Sequence, residues 1–160
     1  MQPRMKSPAM ILPGAYDALQ ALQRSLTENG NVPRATLELV YLRAGQINGC
    51  GVCVDLHSRM MRKLGEKAER ISCVSAWREA PYFSEAERAA LALAEAASRL
   101  SDRADPVPDE VWEEAARQFN ETQLAALVMA IGMINLWNRL NVTTRQVGGE
   151  FLQEFVERHA

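Results

Sequence analysis

The sequence predicts an all-α protein, and three observations support that prediction. Apolar residues recur at helical spacing in most segments of the chain. Residues that favour helix starts and helix ends flank these segments. No stretch of convincing length alternates between apolar and polar residues as a half-buried strand does, and no internal repeat is present. We therefore expect a helical bundle that forms a single domain over residues 1–160.

Two helices are predicted before the first cysteine. The first covers residues 15–26 and ends near Gly30, which we expect to adopt the left-handed conformation common at helix C-termini. The second begins near Pro33, a residue favoured in a first helical turn, and carries apolar residues along one stripe. It ends at Asn48-Gly49, so the chain breaks immediately before Cys50.

A third helix is predicted from Cys50 to Leu64, closing at Gly65, and the rest of the chain is predicted to form five more. Ser84 and Glu87 have the spacing of a capping box, which marks the start of one of them. The predicted ranges of these five helices are 67–77, 84–100, 110–119, 121–140 and 150–158.

Charge and hydropathy exclude several classes of partner. Lys and Arg number 18 against 20 Asp and Glu, and the net charge of -2 gives no electrostatic reason to expect nucleic acid or an anionic membrane. Residues 1–13 carry too few apolar side chains for a signal peptide. The longest apolar stretch, 124–137, is shorter than the roughly 20 residues of a membrane span and contains Asn135. We therefore expect a cytoplasmic protein with no nucleic-acid or membrane partner.

The three cysteines of the chain are the first place to look for chemistry. Without a secretory signal, so few cysteines indicate catalysis, redox sensing or metal binding and not a disulfide framework. Cys50 and Cys53 form a C-x-x-C pair in the opening turn of the third predicted helix. The free backbone N–H groups and the positive end of the helix dipole favour thiolate there. Such a pair can close a disulfide and reopen it.

A histidine and a glutamate accompany the cysteine pair. His57 follows Cys53 by one helical turn on the same face, where it could accept the thiol proton directly or through a water. Glu38 lies on the preceding helix, and a short turn between the two helices makes them antiparallel neighbours. A carboxylate at this position could orient His57 or relay its proton.

A structural zinc site at the same four residues is the main alternative, since thiolate, imidazole and carboxylate all bind zinc. Structural zinc usually takes a second pair of ligands from elsewhere, and only Cys73 and His159 remain. We therefore favour redox chemistry and assign no metal. Cys73 lies in an apolar stretch and is predicted to be a buried, inert thiol in a helix.

The spacing E-x11-C-x2-C-x3-H resembles the active-site signature of the AhpD-like alkylhydroperoxidases, a group within the carboxymuconolactone decarboxylase superfamily. The likeness spans roughly residues 33–141. Several segments are similar in sequence to that family: Glu38-Leu39, Leu42-Arg43, Gln46-Ile47-Asn48-Gly49-Cys50, Asp55-Leu56-His57-Ser58 and Trp137-Asn138-Arg139-Leu140-Asn141.

This resemblance implies a role for each residue. Cys53 would be the peroxidatic cysteine, which attacks the terminal oxygen of a hydroperoxide and becomes a sulfenic acid. Cys50 would then resolve the sulfenic acid into a Cys50–Cys53 disulfide. His57 and Glu38 would form the proton relay.

The resemblance also implies assembly into homo-oligomers, a hydroperoxide substrate and an external dithiol reductant such as a lipoylated protein, with no resident cofactor. Some family members place a histidine between the two cysteines, where this chain has Gly51 and Val52, so a relay through that residue is missing. A non-catalytic redox sensor or interaction protein, which uses the same disulfide as a switch, remains a second hypothesis.

Overall fold

The structure is a computed structural model that describes residues 2–101 and 103–159, without the side chain of residue 159. Within these residues there are nine α-helices, one 3-10 helix and no strand, which confirms the all-α prediction. The α-helices are α1 Pro8–Ile11, α2 Ala15–Asn29, α3 Arg34–Ile47, α4 Gly51–Lys63, α5 Ala68–Ser72, α6 Glu85–Ser98, α7 Asp109–Gln118, α8 Glu121–Thr144 and α9 Phe151–His159.

Helix α3 is the centre of the fold, and it packs against α4, α6 and α8. Its side chains are buried on every face, including Leu37, Leu39, Val40 and Leu42, each at most 1% exposed. One apolar cluster lies between α3 and helices α6, α7 and α8, and a second lies between α3, the end of α4 and the 3-10 helix Cys73–Ala76. Burial of one such side chain contributes about 1.5–3 kcal/mol to the free energy of unfolding. The two clusters together therefore hold α3 in place from both sides.

Several predicted helix boundaries agree with the structure. Helices α3 and α4 begin and end within one or two residues of the predicted positions, and Gly65 closes α4 with a positive φ of 84°. The capping box at Ser84 and Glu87 is present, with the side chain of each residue bonded to the backbone N–H of the other. A second capping box, between Asn120 and Gln123, begins α8.

Other local predictions were wrong. The segment 67–77 is a short α-helix followed by a 3-10 helix, and Cys73 is partly exposed at their junction and not fully buried. At the end of α2 the left-handed residue is Asn31, with φ of 51°, whereas Gly30 is right-handed with φ of -75°. Glycine is needed at position 30 for space, since a Cβ there would lie 2.5 Å from Ala126 Cβ. The short helix α1 was not predicted.

Helix α8 is longer than the predicted range 121–140. It has 24 residues and continues to Thr144, which makes it long and apolar enough to cross a membrane by length and composition. However, 44% of its most apolar window is buried inside the fold, and the core helix of a folded protein meets the same criterion. Its buried Asn135 donates hydrogen bonds to Ser98 Oγ and to Ile131 O.

A buried carboxylate joins α3, α6 and the 3-10 segment. The side chain of Glu95 is 7% exposed and accepts hydrogen bonds from Arg43 Nε at 2.6 Å, Arg78 Nη1 at 2.7 Å and Trp77 Nε1 at 3.1 Å. Burial opposes ionisation of Glu95, but these three donors outweigh it and hold the pKa of Glu95 below its usual value. The ion pairs of Glu95 therefore help to stabilise the second apolar cluster.

Glu95→Gln is expected to lower the free energy of unfolding by about 3 kcal/mol at pH 7, because arginine partners are left without their carboxylate. A lowered folded-state pKa contributes stability that is present above the unfolded-state value and lost as pH falls through the folded-state value. The difference between wild type and variant should therefore shrink below about pH 4.3. Urea denaturation at a series of pH values measures it.

Glu114→Gln is the matched control, since Glu114 forms an exposed ion pair with Arg117 on α7. It should leave the free energy of unfolding nearly unchanged. An equal effect of the two substitutions would contradict a structural role for the Glu95 cluster.

Candidate active site

The turn between α3 and α4 places the cysteine pair against α3. Gly49 takes a positive φ of 66° in this turn, and the Cys50 N–H donates to Gly45 O at 2.9 Å. Helices α3 and α4 approach closely at Gly45, where an added Cβ would lie 3.3 Å from Cys53 Cβ and 3.4 Å from Val54 Cγ2. A larger residue at position 45 would push the start of α4 away from α3.

Cys50 and Cys53 form a disulfide, with 5.3 Å between their Cα atoms. Cys50 is the N-cap residue of α4, and its Sγ accepts a hydrogen bond from Cys53 N at 3.4 Å. Both residues are buried, at 1% and 3% exposure. The helix N-terminus and this hydrogen bond both favour negative charge on Cys50 Sγ when the pair is reduced.

Glu38 is the buried acid of the site. It is 1% exposed, and each of its two oxygens has a partner. Oε2 lies 2.7 Å from His57 Nδ1 on α4, and Oε1 accepts a hydrogen bond from Arg34 Nε at 2.9 Å, one helical turn earlier on α3. The carboxylate thus orients the imidazole ring of His57, while Arg34 offsets the cost of burying the negative charge.

Tyr41 packs beside this pair. Its ring centroid is 5.0 Å from that of His57, and its hydroxyl accepts a hydrogen bond from Gln23 Nε2 at 3.2 Å. Burial raises the pKa of Tyr41 to about 12, so the phenol stays neutral over the ordinary pH range. Tyr41 therefore places a neutral ring beside the imidazole, tilted by 44° to it.

Asparagines from α8 complete the surroundings of the cysteines. Asn141 Nδ2 donates to Cys53 Sγ at 3.4 Å, a contact that would also favour a thiolate on this sulfur. Asn48, in the turn before Cys50, donates to Asn135 Oδ1 at 2.9 Å and to Asn138 Oδ1 at 2.8 Å. These contacts tie the cysteine turn to α8.

Cys53, His57 and Glu38 line one cavity of about 660 Å³. Cys50 does not line it, so the two sulfurs of the disulfide have different surroundings. Helices α2, α3, α4, α8 and α9 contribute the walls. The cavity is within the usual volume of a site for a small organic ligand.

The structure brings together all four residues predicted from the sequence, Glu38, Cys50, Cys53 and His57. Arg34, Tyr41 and Asn141 were not among the predicted site residues. Arg34 precedes Glu38 by four residues, which is a recognisable ion-pair spacing on a helix. Asn141 ends the segment 137–141 that resembles the family, whereas nothing local identifies Tyr41.

For the zinc alternative, we looked for a set of metal-binding side chains in the part of the chain that the structure describes. Residues 2–101 and 103–158 contain no group of three or more His, Cys, Asp or Glu side chains placed to hold a metal ion. Cys73 lies in the second apolar cluster, on the 3-10 helix, and the side chain of His159 lies outside the described residues.

The sequence profile of the carboxymuconolactone decarboxylase family matches residues 13–96. The uncharacterised protein YdfG of Bacillus subtilis is 38% identical over 116 residues, which cover 72% of this chain and 78% of that protein. The uncharacterised protein YnjA of Escherichia coli is 35% identical over 103 residues, 64% of this chain and 55% of that protein. The alkyl hydroperoxide reductase AhpD of Bradyrhizobium diazoefficiens is 38% identical over 50 residues, 31% of this chain and 28% of that protein.

Solved structures show the same fold. A protein of unknown function from Agrobacterium tumefaciens, likened to the antioxidant defence protein AhpD, superposes with a TM-score of 0.85 at 32% identity. The alignment covers 93% of this chain and 99% of that one. The debrominase Bmp8 superposes with a TM-score of 0.77 at 19% identity over 91% of this chain and 76% of that one, which shows the fold alone. Profile, relatives and fold agree, and the chain is an AhpD-like member of the carboxymuconolactone decarboxylase family.

Proposed function

We propose that this protein reduces organic hydroperoxides with the Cys50–Cys53 pair and is returned to the dithiol form by an external dithiol. The proposal rests on one observation. Cys53, one half of the closed C-x-x-C disulfide, borders a cavity that is also lined by the hydrogen-bonded His57–Glu38 pair. Similarity to alkyl hydroperoxide reductases over 50 residues supports it at the level of the family.

Cys53 is the nucleophile in this proposal. His57 accepts its proton, and the resulting thiolate attacks the terminal oxygen of the hydroperoxide. An S–O bond forms as the O–O bond breaks, and the leaving alkoxide takes the proton from His57. Two electrons pass from sulfur to the peroxide, which leaves a sulfenic acid on Cys53 and an alcohol as product. Glu38 stabilises the imidazolium that forms between the two proton transfers.

Cys50 resolves the sulfenic acid. Its sulfur attacks Cys53 Sγ, the S–S bond forms, and the departing hydroxide combines with the Cys50 proton as water. In the resulting disulfide the two Cα atoms are 5.3 Å apart, within the usual range for a disulfide.

The two sulfurs differ as leaving groups when an external dithiol reduces the disulfide. Cys50 Sγ accepts the Cys53 N–H at the start of α4, so thiolate is stabilised on Cys50. A reductant that enters the cavity and attacks Cys53 therefore displaces the better leaving group. Since both residues are buried, a slender dithiol such as the lipoyl arm of a protein fits this route better than a cysteine on a protein surface.

Homo-oligomer formation is a further part of the proposal. Helix α8 presents an exposed apolar stripe to solvent, at Val128, Met129 and Leu136, with the exposed Gly132 between them. A stripe of this kind is a common surface for association of two copies of a chain.

Variants of the three cysteines test the roles of the pair. One equivalent of cumene hydroperoxide should remove two hydrogens from the reduced, metal-free wild type, as measured by intact mass and free-thiol count. Cys50→Ser should stop at a sulfenic acid that dimedone traps, because the nucleophile remains but the resolving thiol is gone. Cys53→Ser should not react. Cys73→Ser is the matched control and should behave as wild type.

Three results would count against the proposal. Dithiol-dependent turnover by Cys53→Ser would show that the roles are wrongly assigned. A single oxidation without turnover, under excess peroxide and dithiol, would favour the redox sensor. Stoichiometric zinc in the purified protein, together with unreactive thiols, would favour a structural metal site.

His57→Gln tests the proton relay. We expect the second-order rate constant for oxidation by cumene hydroperoxide to fall by about 10²- to 10⁴-fold, because the thiol loses its base and the alkoxide loses its acid. Glu38→Gln should cause a smaller loss, since the imidazole remains but is less well oriented. Stopped-flow measurement of thiol oxidation gives both values, and circular dichroism checks folding. An unchanged rate in folded His57→Gln would exclude the relay.

A further inference from the structure

The cavity beside Cys53 has two chemically different walls. One wall is apolar and comes from α4, α8 and α9; its members include Leu56, Met60, Met133, Trp137, Phe151 and Leu152. The other set of lining residues, the polar wall, comes from α2 and the start of α3, with Gln20, Gln23, Arg24 and Arg34. A ligand that satisfies both walls has an apolar body and a polar end.

The charges of the polar wall define that polar end. Arg24 and Arg34 both line the cavity, and Glu38 is the one carboxylate among the lining residues. Glu38 is already shared between Arg34 Nε and His57 Nδ1. Within residues 2–101 and 103–159, no carboxylate lies within ion-pair distance of the Arg24 guanidinium, which is exposed at the cavity.

A count of charges in the reduced, reactive state also indicates that the cavity has an unpaired positive charge. Glu38 and a Cys53 thiolate contribute two negative charges, and Arg24, Arg34 and protonated His57 contribute three positive ones. One positive charge is left over, so the cavity can accept one anionic group. A carboxylate matches the planar donor fork of an arginine.

We propose that the cavity binds organic acids, and that the physiological hydroperoxide carries a carboxylate that pairs with Arg24 while its apolar body lies against the apolar wall. The redox part of this inference rests on the proposed function; the carboxylate site does not. The chemistry is unchanged: Cys53 is oxidised to a sulfenic acid, the O–O bond breaks, and the product is the corresponding hydroxy acid. Cys50 and an external dithiol then restore the thiols.

The volume of the cavity supports a substrate of this size. At about 660 Å³ it greatly exceeds hydrogen peroxide, which is close in size to one water molecule of about 30 Å³. An aryl or branched alkyl body with one carboxylate would displace water from the apolar wall, whereas a small peroxide would leave that wall hydrated.

Three peroxides that share one reactive centre test the inference: cumene hydroperoxide, its para-carboxy derivative and the methyl ester of that derivative. With reduced wild-type protein, the acid should oxidise the thiols about tenfold faster than the ester, because a charge-assisted hydrogen bond to arginine is made only by the acid. Arg24→Gln should abolish this preference for the acid over the ester, and Arg24→Lys should retain part of it. Arg117→Gln, which removes an exposed arginine of α7, is the matched control and should keep the full preference.

Binding without turnover separates the two proposals. The redox-inert para-isopropylbenzoate should bind the disulfide form, measured by isothermal titration calorimetry, about tenfold more tightly in wild type than in Arg24→Gln. Equal rates for acid and ester, or an acid preference that persists in Arg24→Gln, would overturn the carboxylate site. If no peroxide oxidises the thiols but the benzoate binds in an Arg24-dependent manner, the carboxylate site stands and the peroxidase proposal is wrong.

Discussion

The buried hydrogen bond between Glu38 and His57 is the interaction on which the site depends. It joins α3 to α4 at 2.7 Å, inside a region where an unpaired carboxylate would be very costly. Arg34 takes the second oxygen of Glu38, so the negative charge has a partner on each side. Because both ends of this interaction lie on helices, it fixes their register, and the position of Cys53, one turn before His57, follows from it.

The same packing makes the two cysteines unequal. The close approach of α3 and α4 at Gly45 buries both sulfurs, but only Cys53 borders the cavity, where it accepts a hydrogen bond from Asn141. Cys50 instead caps the helix and is held by the turn that Asn48 ties to α8. A symmetric sequence motif thus becomes an asymmetric pair, with Cys53 at the cavity and Cys50 at the cap of α4.

The cavity itself is assembled from remote parts of the chain. Helix α9 packs against α4, and Asp55 Oδ2 accepts a hydrogen bond from Gly149 N at its start. A Cβ at Gly148 would lie 2.9 Å from the same carboxylate oxygen, so a larger residue there would require the Asp55 side chain to shift. The apolar residues that α9 adds, and the arginine that α2 adds, give the cavity its mixed apolar and polar lining.

Features that act over a few residues could be predicted from the sequence alone: the helices, the cysteine pair at a helix start, and His57 one turn beyond it. Spacing and capping are local, so they can be recognised without the fold. Which distant side chains contact these residues depends on the tertiary fold. Asn141 contacts Cys53 across 88 residues, and Arg24 shares a cavity with both. Gly30 is right-handed, against the local expectation, and glycine is required there because Ala126 leaves no room for a Cβ. Such contacts depend on how helices pack, and packing is set by the whole chain and not by any one segment.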